Sequence, residues 1–476
     1  MRDAQVELIP GCNCITLELM RTIVWHIPPE YGHYAPTRLL SKQLVAQGCR
    51  VVYVCELDMK EHLERDGFEH VPYLPEAYPV GSITARDRLD LDATWEWWFN
   101  RDQALWREAC SGRLEALLAS LSPDLVIGDQ LNPDTSLVVH KMKLPFIRIT
   151  TMLPAYYEPD MPPIWSDALP GERSRWELEI EWMCHGALVL RQPWIHRDNP
   201  IKPSEFFKFV EACGINVAQI NYRSAFNYHV ESDPEIVMCS KAFDFPKPAA
   251  SEVPDRVYIG PCLSENDAKP WTYPARRREA PLIYCAFGSK SLSYPTAKVV
   301  IERLLELAVM RPELDIVIAA YDEVVRGLAI PPTVHVIHWA PQRAILREAD
   351  LFITHAGLNS IREAIWEGVP MLAVPQAYDQ RGCAARIVYH HLGERITGPV
   401  PATPVLAQMI DRLLGDATYR QAVEQMQTQF HAEAQDLVGA RFVLDVLEKR
   451  IVPASGAYYD EVVKRLGLSL MPVLPT

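Results

Sequence analysis

The chain has 476 residues, 49% of them hydrophobic and 23% charged, with a net charge of −14. That length makes two large domains the first expectation, and the composition is globular, not disordered or fibrous. A chain this acidic repels a polyanion unless its bases are concentrated. The dense basic run Arg276-Arg277-Arg278 stands beside Glu279 and reads as a solvated linker, which excludes nucleic acid as the main partner.

The apolar runs fall short of the ~18–20 residues of a spanning helix, so no transmembrane segment is expected. Residues 1–19 mix acids, a proline and a Cys-x-Cys pair and do not read as a secretory signal. They are expected to be a loose extension, with Met20 as the functional start. The eleven cysteines are odd in number and scattered, without a C-x-x-C pair or zinc spacing. Cys12 and Cys14 read as part of a tail and the others as reduced thiols, which suits a cytoplasmic protein.

From Thr22 the chain alternates strands and helices. Thr22–Ile27 is an apolar run ended by Pro28-Pro29. Ala35–Gln47 places Leu39, Leu40, Leu44 and Val45 on one side of a helix, stopped by Gly48. Val51–Cys55, Asp124–Ile127, Phe146–Ile149 and Ile236–Cys239 are further buried strands. Prolines then crowd the stretch from Pro246 to Pro281 and break any long element. Beyond it Leu282–Phe287, Asp315–Ala319, Val334–Ile337, Leu351–Thr354 and Met371–Val374 are strands separated by helices, the first of them Thr296–Met310. Continuous apolar strands with intervening helices predict parallel sheets covered on both faces. The expected organisation is an α/β fold of two doubly wound domains facing each other across a cleft. Residues 20–243 form the first domain, 244–280 a linker and 281–439 the second domain. Residues 440–476 form a helix and tail returning to the first. A ligand belongs at the carboxyl ends of the strands, between the sheets.

The most informative stretch runs from His338 to Arg395. After the strand ending at Thr354, His355-Ala356-Gly357-Leu358-Asn359-Ser360 forms a turn and the first turn of a helix. Gly357 allows close backbone approach, and the helix N-terminus with the Ser360 hydroxyl can hold a phosphate. Glu363 lies one turn on, on the face of Ser360, where a carboxylate can accept from ribose hydroxyls. Trp339 offers a stacking plane, Gln342 an amide, and Asp379-Gln380 a polar pair at the end of another strand. Taken alone these groups read as ordinary βα structure, with His355 a core histidine; their convergence on one sheet edge favours a site.

With W-A-P-Q (Trp339–Gln342), H-A-G-L-N-S-I-R-E (His355–Glu363) and D-Q (Asp379-Gln380) in this order and spacing, the chain resembles the UDP-dependent glycosyltransferases of the GT-B fold from about Met20 onward. The resemblance implies that Trp339 stacks on uracil, the Ala340 backbone bonds its edge, and Gln342 and Glu363 hold the ribose. It implies that Ser289, His355, Gly357, Asn359 and Ser360 cradle the diphosphate, and that Asp379 and Gln380 bond the sugar. The family usually has Asn three residues after D-Q; here Cys383 stands there. Glu363 favours UDP over TDP, because a deoxyribose lacks one partner hydroxyl. Glucose is the default sugar, and a TDP-sugar enzyme is the alternative.

The loop P-P-E-Y-G-H-Y-A-P places His33 at the carboxyl end of the first strand, and Asp129 follows the strand D-L-V-I-G. Transfer to an alcohol needs a base near pH 7, for which imidazole is suited, and a carboxylate can orient it. Otherwise His33 and Asp129 are helix caps. The resemblance assigns His33 as base and Asp129 as its partner, and implies inverting transfer without a metal or other cofactor. Asp90-Leu91-Asp92 matches D-x-D but lies in a charged helical stretch and is read as chance. His26, inside its strand, is read as structural.

Trp95, Trp98, Phe99 and Trp106 recur near helical spacing, either as core or as a wall for a lipophilic acceptor. The loop at residues 156–166 and the aromatics from Trp176 to Phe209 are further candidates. E-P-D-M-P (Glu158–Pro162), F-D-F-P-K-P (Phe243–Pro248) and the run from Ala384 to Gly393 resemble bacterial zeaxanthin glucosyltransferases. The partners so implied are a nucleotide sugar and a small lipophilic hydroxylated acceptor, a carotenoid or secondary metabolite. Peripheral membrane contact is compatible with such an acceptor. A sugar-nucleotide epimerase or phosphorylase fits the D-Q pair less well. A non-catalytic nucleotide-sugar-binding partner leaves His33 and Asp129 unexplained.

Overall fold

The computed structural model describes residues 4–5, 18–184, 203–224, 227–247, 255–264, 271, 277, 279–288 and 290–448. Much of the proposed extension, the final tail and Ser289 lie outside these.

The first sheet contains β1 (Thr22–His26), β2 (Arg50–Cys55), β3 (Glu69–Pro72), β4 (Leu125–Asp129), β5 (Phe146–Thr150), β6 (Glu235–Val237) and β7 (Arg256–Tyr258). Its order is β7-β6-β5-β4-β1-β2-β3, all parallel. The second sheet contains β8 (Leu282–Ala286), β9 (Asp315–Ala319), β10 (Val334–Ile337), β11 (Leu351–Thr354), β12 (Met371–Ala373) and β13 (Gly393–Arg395). Its order is β10-β9-β8-β11-β12-β13, again all parallel. The two doubly wound domains read from the sequence are therefore present. The Pro-rich stretch also contributes β7, an edge strand that its prolines and charges hide.

Strand alternation explains both layers. In β1, Ile23 and Trp25 face Leu40, Leu44 and Val443, whereas Val24 faces Leu105, Leu118 and Val138. In β8, Leu282 and Tyr284 enter one core and Ile283 and Cys285 the other. Each such apolar side chain contributes ~1.5–3 kcal/mol through burial. Helix Thr37–Ala46 is followed by Gly48 at φ 80°, a conformation glycine adopts without a Cβ penalty. Pro295 opens helix Pro295–Met310, where a missing N–H costs nothing. The last described helix, Val438–Leu447, packs Ala440, Val443, Val446 and Leu447 into the core of the first domain.

The aromatic loop at 156–166 does not line the cleft. It joins the domains, with Gly382 N–H donating to the Ile164 carbonyl at 2.9 Å. Glu158 pairs with Lys247 at 2.6 Å, Lys247 with Asp244 at 3.0 Å and Arg386 with Asp244 at 2.7 Å. Three stretches that looked alike only as motifs are thus one buried ion network at the junction. A Cβ on Gly382 would stand 2.2 Å from the Ile164 oxygen. Gly382→Ala is therefore expected to destabilise by about 1–3 kcal/mol, read as a lower denaturation midpoint; an unchanged midpoint would contradict this packing.

Candidate active site

The carboxyl ends of the two sheets enclose a cavity of about 1020 Å³. Every predicted site residue among the described residues lines it except Asp129, which lies directly behind His33.

On the first domain, β1 ends at His26 and the short helix Tyr31–Tyr34 carries His33 over the sheet edge. His33 Nδ1 lies 2.8 Å from Asp129 Oδ2 at the end of β4. The Asp129 side chain is fully buried and that of His33 is 13% exposed. Asp129 Oδ1 also accepts from Leu131 N–H at 2.9 Å, which fixes the carboxylate. A carboxylate accepts, so Nδ1 carries the proton and Nε2 is left as the basic nitrogen. Thr151 Oγ1 stands 2.7 Å from Nδ1 and 3.4 Å from Asp129 Oδ2. Burial lowers the His33 pKa, but the Asp129 charge and hydrogen bond, helped by Glu30, leave it above the ordinary value. His26 is structural: Nδ1 meets Thr135 Oγ1 at 2.7 Å, and burial takes its pKa down to about 3.

On the second domain, β11 leads through Ala356, at φ 64°, to helix Leu358–Trp366. Gly357 itself has φ −68°. Its glycine requirement is spatial, since a Cβ there would sit 2.4 Å from His355 Nε2. His355 is held neutral, burial lowering its pKa to about 4. Ser360 is buried on the first helical turn. Gln342 Nε2 donates to Glu363 Oε2 at 2.6 Å and to Ser360 Oγ at 3.2 Å, while its Oε1 accepts from Tyr284 at 3.2 Å. Burial raises the Glu363 pKa. Trp339 is 65% exposed, its ring at the cavity mouth beside Ala340.

Two polar groups are turned from the expected direction. Asn359 Nδ2 crosses the cleft and donates to the Gly32 carbonyl at 2.8 Å, next to His33. Gln380 Oε1 accepts from Gln376 and Ala377 N–H at 2.8 and 3.0 Å, and its Nε2 donates to Tyr294 at 3.1 Å. This amide ties its own loop together. Asp379 keeps more acceptor capacity, with the Cys383 thiol 3.6 Å from Oδ2. Cys383 is itself fully buried. Asp90, of the D-x-D match, caps helix Leu91–Ser111 by accepting from Ala93 N–H at 2.8 Å.

Sequence reasoning missed Thr151, Glu30 and Lys290. Glu30 Oε1 lies 2.9 Å from Lys290 Nζ and 2.7 Å from Arg86 Nη1. Burial opposes its charge, but Lys290 and Arg86 bring its pKa down to about 2. The acid in P-P-E-Y-G-H and the lysine after Gly-Ser were visible; their pairing across the cleft was not.

Residues 240–435 match the model of the UDP-glucoronosyl and UDP-glucosyl transferase family. The chain is 27% identical over 442 residues to a zeaxanthin glucosyltransferase of Pantoea ananas, covering 88% of this chain and 94% of that protein. It is 24% identical to an oleandomycin glycosyltransferase of Streptomyces antibioticus, covering 88% and 89%. In fold it resembles the solved glycotransferase of kitacinnamycin, with a TM-score of 0.67, 22% identity and coverage of 90% and 99%. Two doubly wound parallel-sheet domains facing each other across a cleft are the GT-B fold. The match over residues 240–435 and the glucosyltransferase relatives make the chain a glycosyltransferase, similar over that stretch to the UDP-glycosyltransferases, enzymes acting on a nucleotide sugar and an acceptor.

Proposed function

We propose that the protein transfers a hexose, with glucose the first candidate, from a UDP-sugar to a hydroxyl of a small lipophilic acceptor, with inversion. The observation that carries this reading is the His33–Asp129 pair facing the Gly357–Glu363 helix N-terminus across one cavity. His33 Nε2 takes the acceptor proton as the oxygen attacks the anomeric carbon. The C–O bond to the diphosphate breaks, and the electron pair leaves on UDP. The helix N-terminus and the Ser360 hydroxyl stabilise that charge. Asp129 stabilises the imidazolium. Trp339 and Ala340 hold uracil, Gln342 and Glu363 the ribose, and Ser289, His355 and Gly357 join Ser360 at the diphosphate, which Asn359 reaches only on releasing the Gly32 carbonyl. Asp379 is the main sugar contact, with Gln380 positioning its loop. No step calls for a metal.

The carotenoid substrate named for the Pantoea relative makes a carotenoid alcohol the first acceptor to try. Incubation with UDP-glucose and a panel of lipophilic alcohols, read by product mass, tests the reading; UDP binding without turnover of any alcohol would favour a non-catalytic binding protein instead. A base works when deprotonated, so kcat/KM should rise with pH through a midpoint above 6.5, the ordinary histidine value. Asp129→Asn removes the charge that raises His33. Its pH profile should shift to lower pH and its plateau fall by on the order of 10²-fold. A midpoint unmoved by the substitution would oppose the dyad.

A further inference from the structure

Helix Leu91–Ser111 presents Trp95, Trp98, Phe99 and Asp102 to the cavity, and Leu131 and Met152 line the same cavity. Three aromatic rings and two apolar side chains make a wall for a lipophilic molecule; of the three carboxyls the helix brings to the cavity, Asp92 and Glu96 are exposed and Asp102 alone is half-buried within the wall. Spacing of three and four residues sets Asp102 one turn beyond Trp98 and Phe99 on the same face.

The neighbouring cation does not pair with it. Arg101 donates through Nε to Glu56 at 2.6 Å and through Nη1 to Asn132 at 3.0 Å. The Arg101 and Arg86 guanidinium carbons lie 5.5 and 5.4 Å from the Trp98 ring centroid, which fixes that indole. Among the described residues Asp102 has no hydrogen-bond or ion-pair partner. Burial, opposed by Arg101 and reinforced by Asp134, raises its carboxyl to about 7. Asp102 is half-buried against the aromatic wall, and its carboxyl, without a partner among the described residues, is free to accept from a donor on a bound molecule.

We propose that Asp102 is a specificity-determining residue of the acceptor site, receiving a second hydrogen-bond donor, a hydroxyl or an amine, carried by the acceptor away from the hydroxyl that is glycosylated. This rests on reading the cavity as the acceptor site. It selects molecules that are apolar in the middle and polar at two places over simple lipophilic alcohols. A site built to bond a donor rejects the analogue lacking it, because the buried group is then left unpaired.

The test compares decanol, decanediol with a hydroxyl at each end, and the matching amino alcohol; the flexible chain removes any assumption about span. Acceptor KM is measured with UDP-glucose. Acceptor Kd is measured in the presence of UDP by quenching of tryptophan fluorescence. The parent should bind the diol or the amino alcohol at least ~10-fold more tightly than decanol. Asp102→Leu should abolish that difference, weakening the diol and the amino alcohol by ~10-fold relative to decanol. Asp102→Asn, of the same shape, separates the sources: it should keep the diol preference and lose the amino-alcohol preference. UDP affinity and the melting temperature verify folding of both variants. Equal parent affinity for all three probes, or equal weakening of decanol and diol by Asp102→Leu, overturns the proposal. Binding without turnover of any probe overturns the transferase reading while the Kd values still decide the role of Asp102.

Discussion

His33→Ala is expected to lower kcat for transfer to an alcohol by about 10²–10⁴-fold, the usual contribution of a positioned base, while UDP affinity changes less than about twofold. The reason is geometric. His33 lies on the first domain and touches Asp129 and Thr151, whereas the residues proposed to hold the nucleotide lie on the second. Removing the imidazole deletes the proposed proton acceptor and leaves the Gly357–Glu363 segment intact. Steady-state kinetics with a calorimetric UDP titration check both halves. Loss of UDP affinity with normal residual turnover would place His33 in the donor site and refute its role as base.

Glu363→Leu is expected to have the opposite signature. The carboxylate is held by Gln342 at 2.6 Å in a buried setting that already raises its pKa. A ribose supplies two hydroxyls to that oxygen pair, and a deoxyribose one. Losing these bonds costs about 1–3 kcal/mol, or ~5–150-fold in the KM for the UDP-sugar. Because the ribose does not react, the loss is uniform and kcat should hold. The parent should also prefer UDP-glucose to TDP-glucose by a similar factor, and the variant should lose that preference. Equal parent kinetics with both donors would show that the ribose contact carries no specificity.

The parts of this fold that read well from the sequence are those where one local rule dominates. β1, β4, β8 and β11 are continuous apolar runs because helices cover both faces, and such runs stand out. The edge strands Glu69–Pro72, Arg256–Tyr258 and Gly393–Arg395 are short and interrupted by charge, proline or glycine, so their alternation carries little signal. The placement of His33, Asp129, Gln342, Ser360 and Glu363 at the cleft was legible because each sits at a strand end or in the first two turns of a helix whose position is set by chain order. The aromatic run from Trp95 divides between two fates that spacing alone cannot separate: Trp98 and Phe99 reach the cavity, while Trp106 packs against Phe206. The direction of an amide is a tertiary property. Gln380 turns back onto its own loop and Asn359 reaches Gly32 because backbone groups from elsewhere are within reach. The loop at 156–166 is an acceptor candidate by its aromatic composition; it instead joins the domains through the Ile164 carbonyl and the ion pairs of Glu158 with Lys247, and of Lys247 and Arg386 with Asp244.

The most direct measurement is the anomeric configuration of the product formed from UDP-α-glucose, read from the proton coupling at the anomeric carbon. With His33 facing the proposed diphosphate site across the cavity, the proposed mechanism has attack from the side opposite UDP and predicts the β-glycoside, formed far more slowly by His33→Ala. An α-glycoside, or a β-glycoside made at the parent rate without the imidazole, would contradict the account.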